Sequence, residues 1–314
     1  MKKKAIIISI KGFKLTNKEK LLFTKESPWG LILFKRNIKS LPQVRLLIKN
    51  IKKITKDNKF PILIDEEGST VTRLSKIINH NIDANFFGKL YLSNKKMSIQ
   101  LYKNYLTVLC KNLRNIGINI NTIPVLDVLR KGTSKVIGNR SFSSKKEIVK
   151  KFGKITVNQC QSNKIICVVK HIPGHGCAVL DSHFKMPKVN LSYKELNSID
   201  FFPFKYNSAK LAMTAHILYK KIDSKNVATF SKKIIKKIIR KKIGYKGILM
   251  SDDISMKALK YDLITNAKKS LNAGCNLVLY CAGNVNDNFK LIKSVPYIDE
   301  FTAQKTSEIY KILR

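Results

Sequence analysis

A single α/β barrel of the (β/α)8 type, over residues 1–314, is the fold this sequence predicts, on three observations. Eight short apolar runs rich in β-branched residues are spread along the 314 residues. The segments between them read mostly as helix, so strand and helix alternate as they do around a parallel sheet. The runs repeatedly end in polar side chains, Asp65, Asp127, Lys170, His216 and Asp252, and the C-terminal strand ends of such a barrel share one mouth. An open doubly wound sheet fits less well, because eight units occupy the chain and no glycine-rich dinucleotide fingerprint appears.

The elements follow in order. Residues 5–10 are continuously apolar, as expected of a strand buried on both faces. Residues 17–26 read as helix, 31–34 as the second strand, and 40–56 as a helix that tolerates Pro42 in its first turn. The third run, 61–64, ends in the acids Asp65, Glu66 and Glu67. Between 97 and 116, Ile99, Tyr102, Leu106, Leu109, Leu113 and Ile116 recur at helical spacing, and Gly117 suits the C-terminal stop. Residues 118–128 are strand-like, and Ser144 with Glu147 predicts a capping box for the next helix. The remaining runs are 165–169, 211–215, 247–250 and 276–280, with an isoleucine-striped helix at 231–243 before the seventh. The helix after the eighth run is expected to pack weakly.

Composition restricts the function classes. An apolar fraction of 44% describes a soluble globular chain. The balance of 61 basic and 20 acidic residues gives +41, a field that attracts nucleic acid, anionic surfaces and acidic metabolites. The lysines are nonetheless scattered among abundant Ile and Asn, without a basic arm, as a genome-wide codon bias also produces. Six cysteines without a CxxC pair fit a reduced compartment. The apolar stretch after the first lysines is shorter than a signal-peptide core, and no run reaches ~18 residues, so a cytoplasmic protein without a membrane span is expected.

The densest chemistry lies in KHIPGHGCAVLDSH at 170–183, which holds three of the five histidines. Imidazole titrates nearest neutrality, and loops at strand ends carry function, so this loop is a candidate for proton chemistry or metal binding; the competing reading is a turn whose histidines only hydrogen-bond. Three enzyme readings arise. Asp252 could attack an anomeric carbon while His183, oriented by Asp181, supplies the proton that glycoside hydrolysis normally draws from a second carboxylate. His171, His175 and His183 with Asp181 could bind a metal, at a spacing that matches no tight motif. Lys170 could form a Schiff base. Asp65 with Arg73, and Arg140, could equally bind substrate or serve structure.

The loop resembles the signature of bacterial NagZ-type β-N-acetylglucosaminidases of glycoside hydrolase family 3. The similarity extends in order through LILFKRN at 31–37, IDEEGSTVTRL at 64–74, IPVLDV at 123–128, IGNRSF at 137–142, MTAHILY at 213–219 and GILMSDDISM at 247–256. The resemblance implies a TIM-like barrel that removes non-reducing terminal N-acetylglucosamine from peptidoglycan fragments, the 1,6-anhydro-N-acetylmuramic acid disaccharide with or without peptide. It assigns the nucleophile to Asp252, the acid/base to His183 with Asp181, and sugar binding to Asp65, Arg73, Arg140, Lys170 and His171. It implies no cofactor and no metal. A saccharide is the expected partner, with no obligatory nucleic acid, and a monomer is expected. The family's EGGRV is replaced here by Glu67, Gly68, Ser69, Thr70, Val71, which predicts a loop that sits differently and shifts Arg73. The non-enzyme alternative is a catalytically impaired basic barrel that binds RNA or anionic cell-wall fragments.

Overall fold

The computed structural model describes residues 2–79, 82–182 and 185–313. Its strands are β1 (Lys4–Ile8), β2 (Pro28–Leu33), β3 (Ile62–Ile64), β4 (Ile120–Asn121), β5 (Ile166–Ile172), β6 (Lys188–Val189), β7 (Leu211–Thr214), β8 (Leu218–Tyr219), β9 (Ile248–Asp253) and β10 (Leu277–Leu279). Eight of them close a parallel barrel in the order β1-β10-β9-β7-β5-β4-β3-β2, and each corresponds to one of the eight apolar runs. The ring closes where Ile6 and Ile7 of β1 register with Val278 and Leu279 of β10. β6 and β8 form a separate two-stranded sheet beside the loop that follows β5.

The period of two along each strand divides the core into two layers. Ala5, Ile7, Ile32, Leu63, Val168, Met213, Met250 and Leu277 fill the barrel interior. Their neighbours Ile6, Ile8, Leu31, Ile62, Ile64, Val169, Leu249 and Val278 pack outward against the helices. This is why the runs are apolar throughout rather than alternating. Helix Lys95–Ile116 ends as predicted, with Gly117 in the left-handed conformation at φ 101°. In helix Ile234–Lys242, which carries π-type hydrogen bonding, Ile234, Ile235, Ile238 and Ile239 are buried.

Three expectations are corrected. The strand-like stretch 118–128 pairs regularly only over Ile120–Asn121, and past Pro124 it touches β5 through a single bridge, Val125 to Lys170. The Ser144–Glu147 capping box is absent: helix Lys146–Ser162 starts after Lys145, whose amide donates to Ser143 Oγ. The last helix, Glu300–Ile312, is firmly held rather than loose. Its Thr306 Oγ1 accepts from Trp29 Nε1 at 2.9 Å, Ile309 joins the barrel-interior cluster, and Tyr310 shares Asp57 with Lys3. Among the described residues no helix is long and apolar enough to cross a membrane.

Candidate active site

A cavity of about 500 Å3 opens at the C-terminal ends of the strands. Its floor forms where β3 stops. Glu66, fully buried, accepts from the amides of Arg73 and Leu74 at 2.7 and 2.9 Å and from Thr72 Oγ1 at 2.6 Å. That folds residues 72–74 back over the strand end and brings Arg73 Nη2 to 2.9 Å from Asp65 Oδ2. Lys170, from β5, lies 3.4 Å from Asp65 Oδ1 and 2.5 Å from Glu67 Oε1, and also donates to Thr122. Arg140 grips Glu67 with two parallel hydrogen bonds of 2.7 and 2.9 Å, the geometry that makes guanidinium–carboxylate pairs strong.

These cations decide the charge state of the floor. Burial works against ionised Asp65, but Lys170 and Arg73, with the Thr122 hydroxyl, hold its carboxyl well below the ordinary range. Burial likewise opposes Glu67, and Arg140 with Lys170 brings it down to about 2. Arg140 itself is raised above its usual value, Glu67 outweighing desolvation.

The loop after β5 is anchored by Asp127. This carboxylate is fully buried, accepts from the His175 amide at 2.6 Å, and meets His171 Nδ1 at 2.7 Å. Burial opposes its charge, and His171 overcomes that and keeps the carboxyl below its usual range. With Nδ1 committed to Asp127, His171 has Nε2 left for the cavity it lines. His175 also lines the cavity; its Nε2 is 3.4 Å from Ser182 Oγ, its Nδ1 is buried without a hydrogen-bond partner, and burial, with His171 nearby, lowers it to about 4. Arg73 Nε is a second buried nitrogen of the mouth without a partner. Both are hydrogen-bonding capacity that an occupant of the cavity can use.

The glycines of this loop are not open hinges. A side chain at Gly176 would place Cβ 1.8 Å from the Val128 carbonyl oxygen, and one at Gly174 would press on Asp200 at 2.8 Å. Thr133 Oγ1 further holds the Gly176 carbonyl at 2.6 Å, and Tyr219 OH holds that of Gly174 at 2.6 Å. Exposure begins only at Val179 and Leu180.

On the opposite wall β9 delivers Asp252 and Asp253 to the mouth. Asp252 Oδ1 accepts from the Asp253 amide at 2.8 Å. Asp253 is tied by Ser255 and by the Cys281 amide, and burial raises its carboxyl. His216 is fully buried behind this strand end, held by Thr229 at 2.7 Å and the Asp253 carbonyl at 3.0 Å, and braces the wall rather than lining the cavity.

Of the predicted site residues, Asp65, Arg73, Arg140, Lys170, His171 and Asp252 line one cavity. Asp181 sits half-buried at the far end of the loop, its carbonyl accepting from the Lys185 amide at 3.1 Å. His183 lies outside the described residues. The Schiff-base reading of Lys170 is not supported, because the side chain is ion-paired with Glu67 and Asp65 and bonded to Thr122, unlike the desolvated, unpaired amine that such chemistry uses. Among the described residues no group of three or more His, Cys, Asp or Glu is placed to hold a metal ion.

Sequence reasoning missed Glu67 and Asp127 as site residues, although one belonged to a noted acidic cluster and the other to a noted strand end. It also missed Asp83. That carboxylate takes Ser69 Oγ at 2.7 Å, the Thr70 amide at 3.0 Å and Thr70 Oγ1 at 2.9 Å. Ser69 avoids positive φ, and the three bonds fix the turn that a second glycine was expected to make. Beyond this turn Arg73 reaches Asp65 at 2.9 Å.

Comparisons with known proteins bear on the family and the fold of the chain. The model of the glycosyl hydrolase family 3 N terminal domain matches residues 3–309. A β-hexosaminidase of Nitrosomonas eutropha is 30% identical over 97% of this chain and 87% of its own length. One from Neisseria meningitidis serogroup A is 31% identical over 91% of this chain and 81% of its own. Among solved structures, NagZ from Neisseria gonorrhoeae in complex with N-trifluoroacetyl-D-glucosamine superposes with a TM-score of 0.88 at 29% identity, covering 98% of this chain and 90% of that one.

Proposed function

The chain belongs to glycosyl hydrolase family 3 and is a glycoside hydrolase of the β-N-acetylglucosaminidase kind; from that premise we propose that it removes non-reducing terminal β-1,4-linked N-acetylglucosamine from peptidoglycan fragments, with retention of configuration, in cell-wall recycling. The observation that carries the proposal is one cavity that holds a strand-end carboxylate, Asp252, opposite a floor of ion-paired Asp65, Arg73, Arg140 and Lys170 with His171. Sugar hydroxyls need charged acceptors and donors held in place, and the mutual pairing of these groups preorganises them.

In the first step an Asp252 carboxylate oxygen attacks the anomeric carbon as the bond to the leaving oxygen breaks, and His183 gives its proton to that oxygen. In the second, the neutral imidazole takes a proton from water, the water oxygen attacks the same carbon, and Asp252 is released. Asp181, two residues before His183, orients the imidazole and favours its charged form. Ser182, the residue before His183 in the sequence, is buried, faces His175 Nε2, and its carbonyl accepts from the Ala258 amide at 3.2 Å, which ties the described part of the loop to the residues after β9. Localisation in the cytoplasm belongs to the same proposal, in keeping with six cysteines that form no CxxC pair.

The test is release of N-acetylglucosamine from its 1,6-anhydro-N-acetylmuramic acid disaccharide and from a chromogenic β-N-acetylglucosaminide, with EDTA as a control. Asp252→Asn should lower kcat by more than about a thousandfold on both while leaving the circular dichroism spectrum unchanged. Undiminished turnover in that variant would remove Asp252 from the reaction, and His183→Ala losses that are equal on good and poor leaving groups would remove the acid.

A further inference from the structure

The cavity carries one cation that its floor does not use. Asp65 and Glu67 are matched to Arg73, Arg140 and Lys170. Lys135 lines the same cavity at its exposed rim, and among the described residues its ammonium has no hydrogen-bond or ion-pair partner. In a chain with 61 lysines and arginines a solvated lysine is ordinary; the backbone beneath this one is not. The Ser134 amide donates to the Ala178 carbonyl at 2.9 Å, and Thr133 Oγ1 donates to that of Gly176, which fastens the segment to the loop after β5. On the other side, the Val136 carbonyl accepts from Arg140 Nη1 at 2.9 Å, and Arg140 is locked on Glu67. Lys135 therefore rides on a strap strung between the loop that carries the proposed acid and the floor that holds the sugar.

This inference rests on the glycosidase reading. With the terminal sugar held on the floor, the leaving group extends toward the open rim of the cavity, where Lys135 stands. We propose that Lys135 is a specificity residue for glycosides whose leaving group carries a carboxylate, with its ammonium paired to that anion while the terminal sugar occupies the floor. The overall charge draws any anion toward the protein, but only a fixed cation at the rim distinguishes where on the substrate the negative charge sits.

The experiment compares two disaccharides that share the same β-1,4 bond and differ by one lactyl ether with its carboxylate, N-acetylglucosaminyl-N-acetylmuramic acid and N,N′-diacetylchitobiose. The readout is the ratio of their kcat/KM values. Lys135→Gln should lower the ratio about three- to tenfold, the worth of one partly solvated charge-assisted contact. Lys135→Glu should lower it further, Lys135→Arg should retain most of it, and Lys242→Gln, on the remote helix Ile234–Lys242, should not move it. A ratio unmoved in Lys135→Glu would overturn the proposal, as would an equal change in Lys242→Gln, which would assign the preference to the general field. Failure of the unaltered enzyme to release sugar from either disaccharide would overturn the glycosidase reading itself, and is recognisable before any variant is made.

Discussion

Replacing Glu67 by Gln keeps the shape of the side chain and removes the charge on which two buried cations converge. Arg140 reaches Glu67 at 2.7 and 2.9 Å and Lys170 at 2.5 Å, and the Glu67 side chain is 6% exposed. Its carboxyl is brought to about 2, against 4.5 for an ordinary glutamate. At ~1.4 kcal/mol per tenfold change in proton affinity, the folded state favours the charged form by about 3 kcal/mol. Breaking a buried ion pair from one side typically costs a similar amount, about 3 kcal/mol or more. A depressed carboxyl contributes stability that is complete above its unfolded value and is lost as pH falls through its folded value. The gap between the parent protein and Glu67→Gln should therefore be about 3 kcal/mol at pH 7, hold level down to about pH 5, and close between about 4.5 and about 2. Urea unfolding followed by circular dichroism, at pH 7 and at steps below 5, measures it. A gap under about 1 kcal/mol at neutral pH, or one that widens in acid, would refute the argument that Arg140 and Lys170 depend on this carboxylate. Because Arg140 loses its carboxylate and Lys170 the shorter of its two ion pairs, kcat/KM should also fall at least about a hundredfold.

Three further substitutions probe the parts that hold the site in place. Asp127→Ala removes the partner of His171 Nδ1 and of the His175 amide; a loss of about 3 kcal/mol in urea unfolding and a kcat/KM drop of more than about a hundredfold are expected, and near-parent kinetics would show that His171 needs no orientation. Asp83→Ala frees the Ser69–Thr70 turn; about 1 kcal/mol of stability should go, and KM should rise severalfold with kcat nearly kept, whereas an unchanged KM would mean that Arg73 is positioned without the turn. Gly176→Ala forces a methyl onto the Val128 carbonyl oxygen, so activity should fall more than about a hundredfold along with a loss of about 2 kcal/mol, and full activity would show that the loop can shift there without harm.

The sequence by itself determined the barrel. Strands covered on both faces must be apolar at every position, so the eight runs stood out without any partner in view. It also marked the strand-end residues Asp65, Lys170, His171 and Asp252, because a polar side chain that closes an apolar run is a local signal. Local pattern failed where the stabilising partner lies far along the chain. The short β4 gives way after Asn121 to a segment that only touches β5. The last helix is tight because Trp29, nearly the whole chain away, reaches Thr306. Only tertiary structure decided the electrostatics of the mouth. Glu66 and Glu67 are adjacent and chemically alike, yet one folds residues 72–74 through backbone amides and the other gathers Arg140 and Lys170. Which task each takes depends on the direction of a side chain as the backbone leaves β3, and no spacing along the sequence records that direction. The same holds for Asp83, whose three hydrogen bonds supply the turn that the missing glycine left in question.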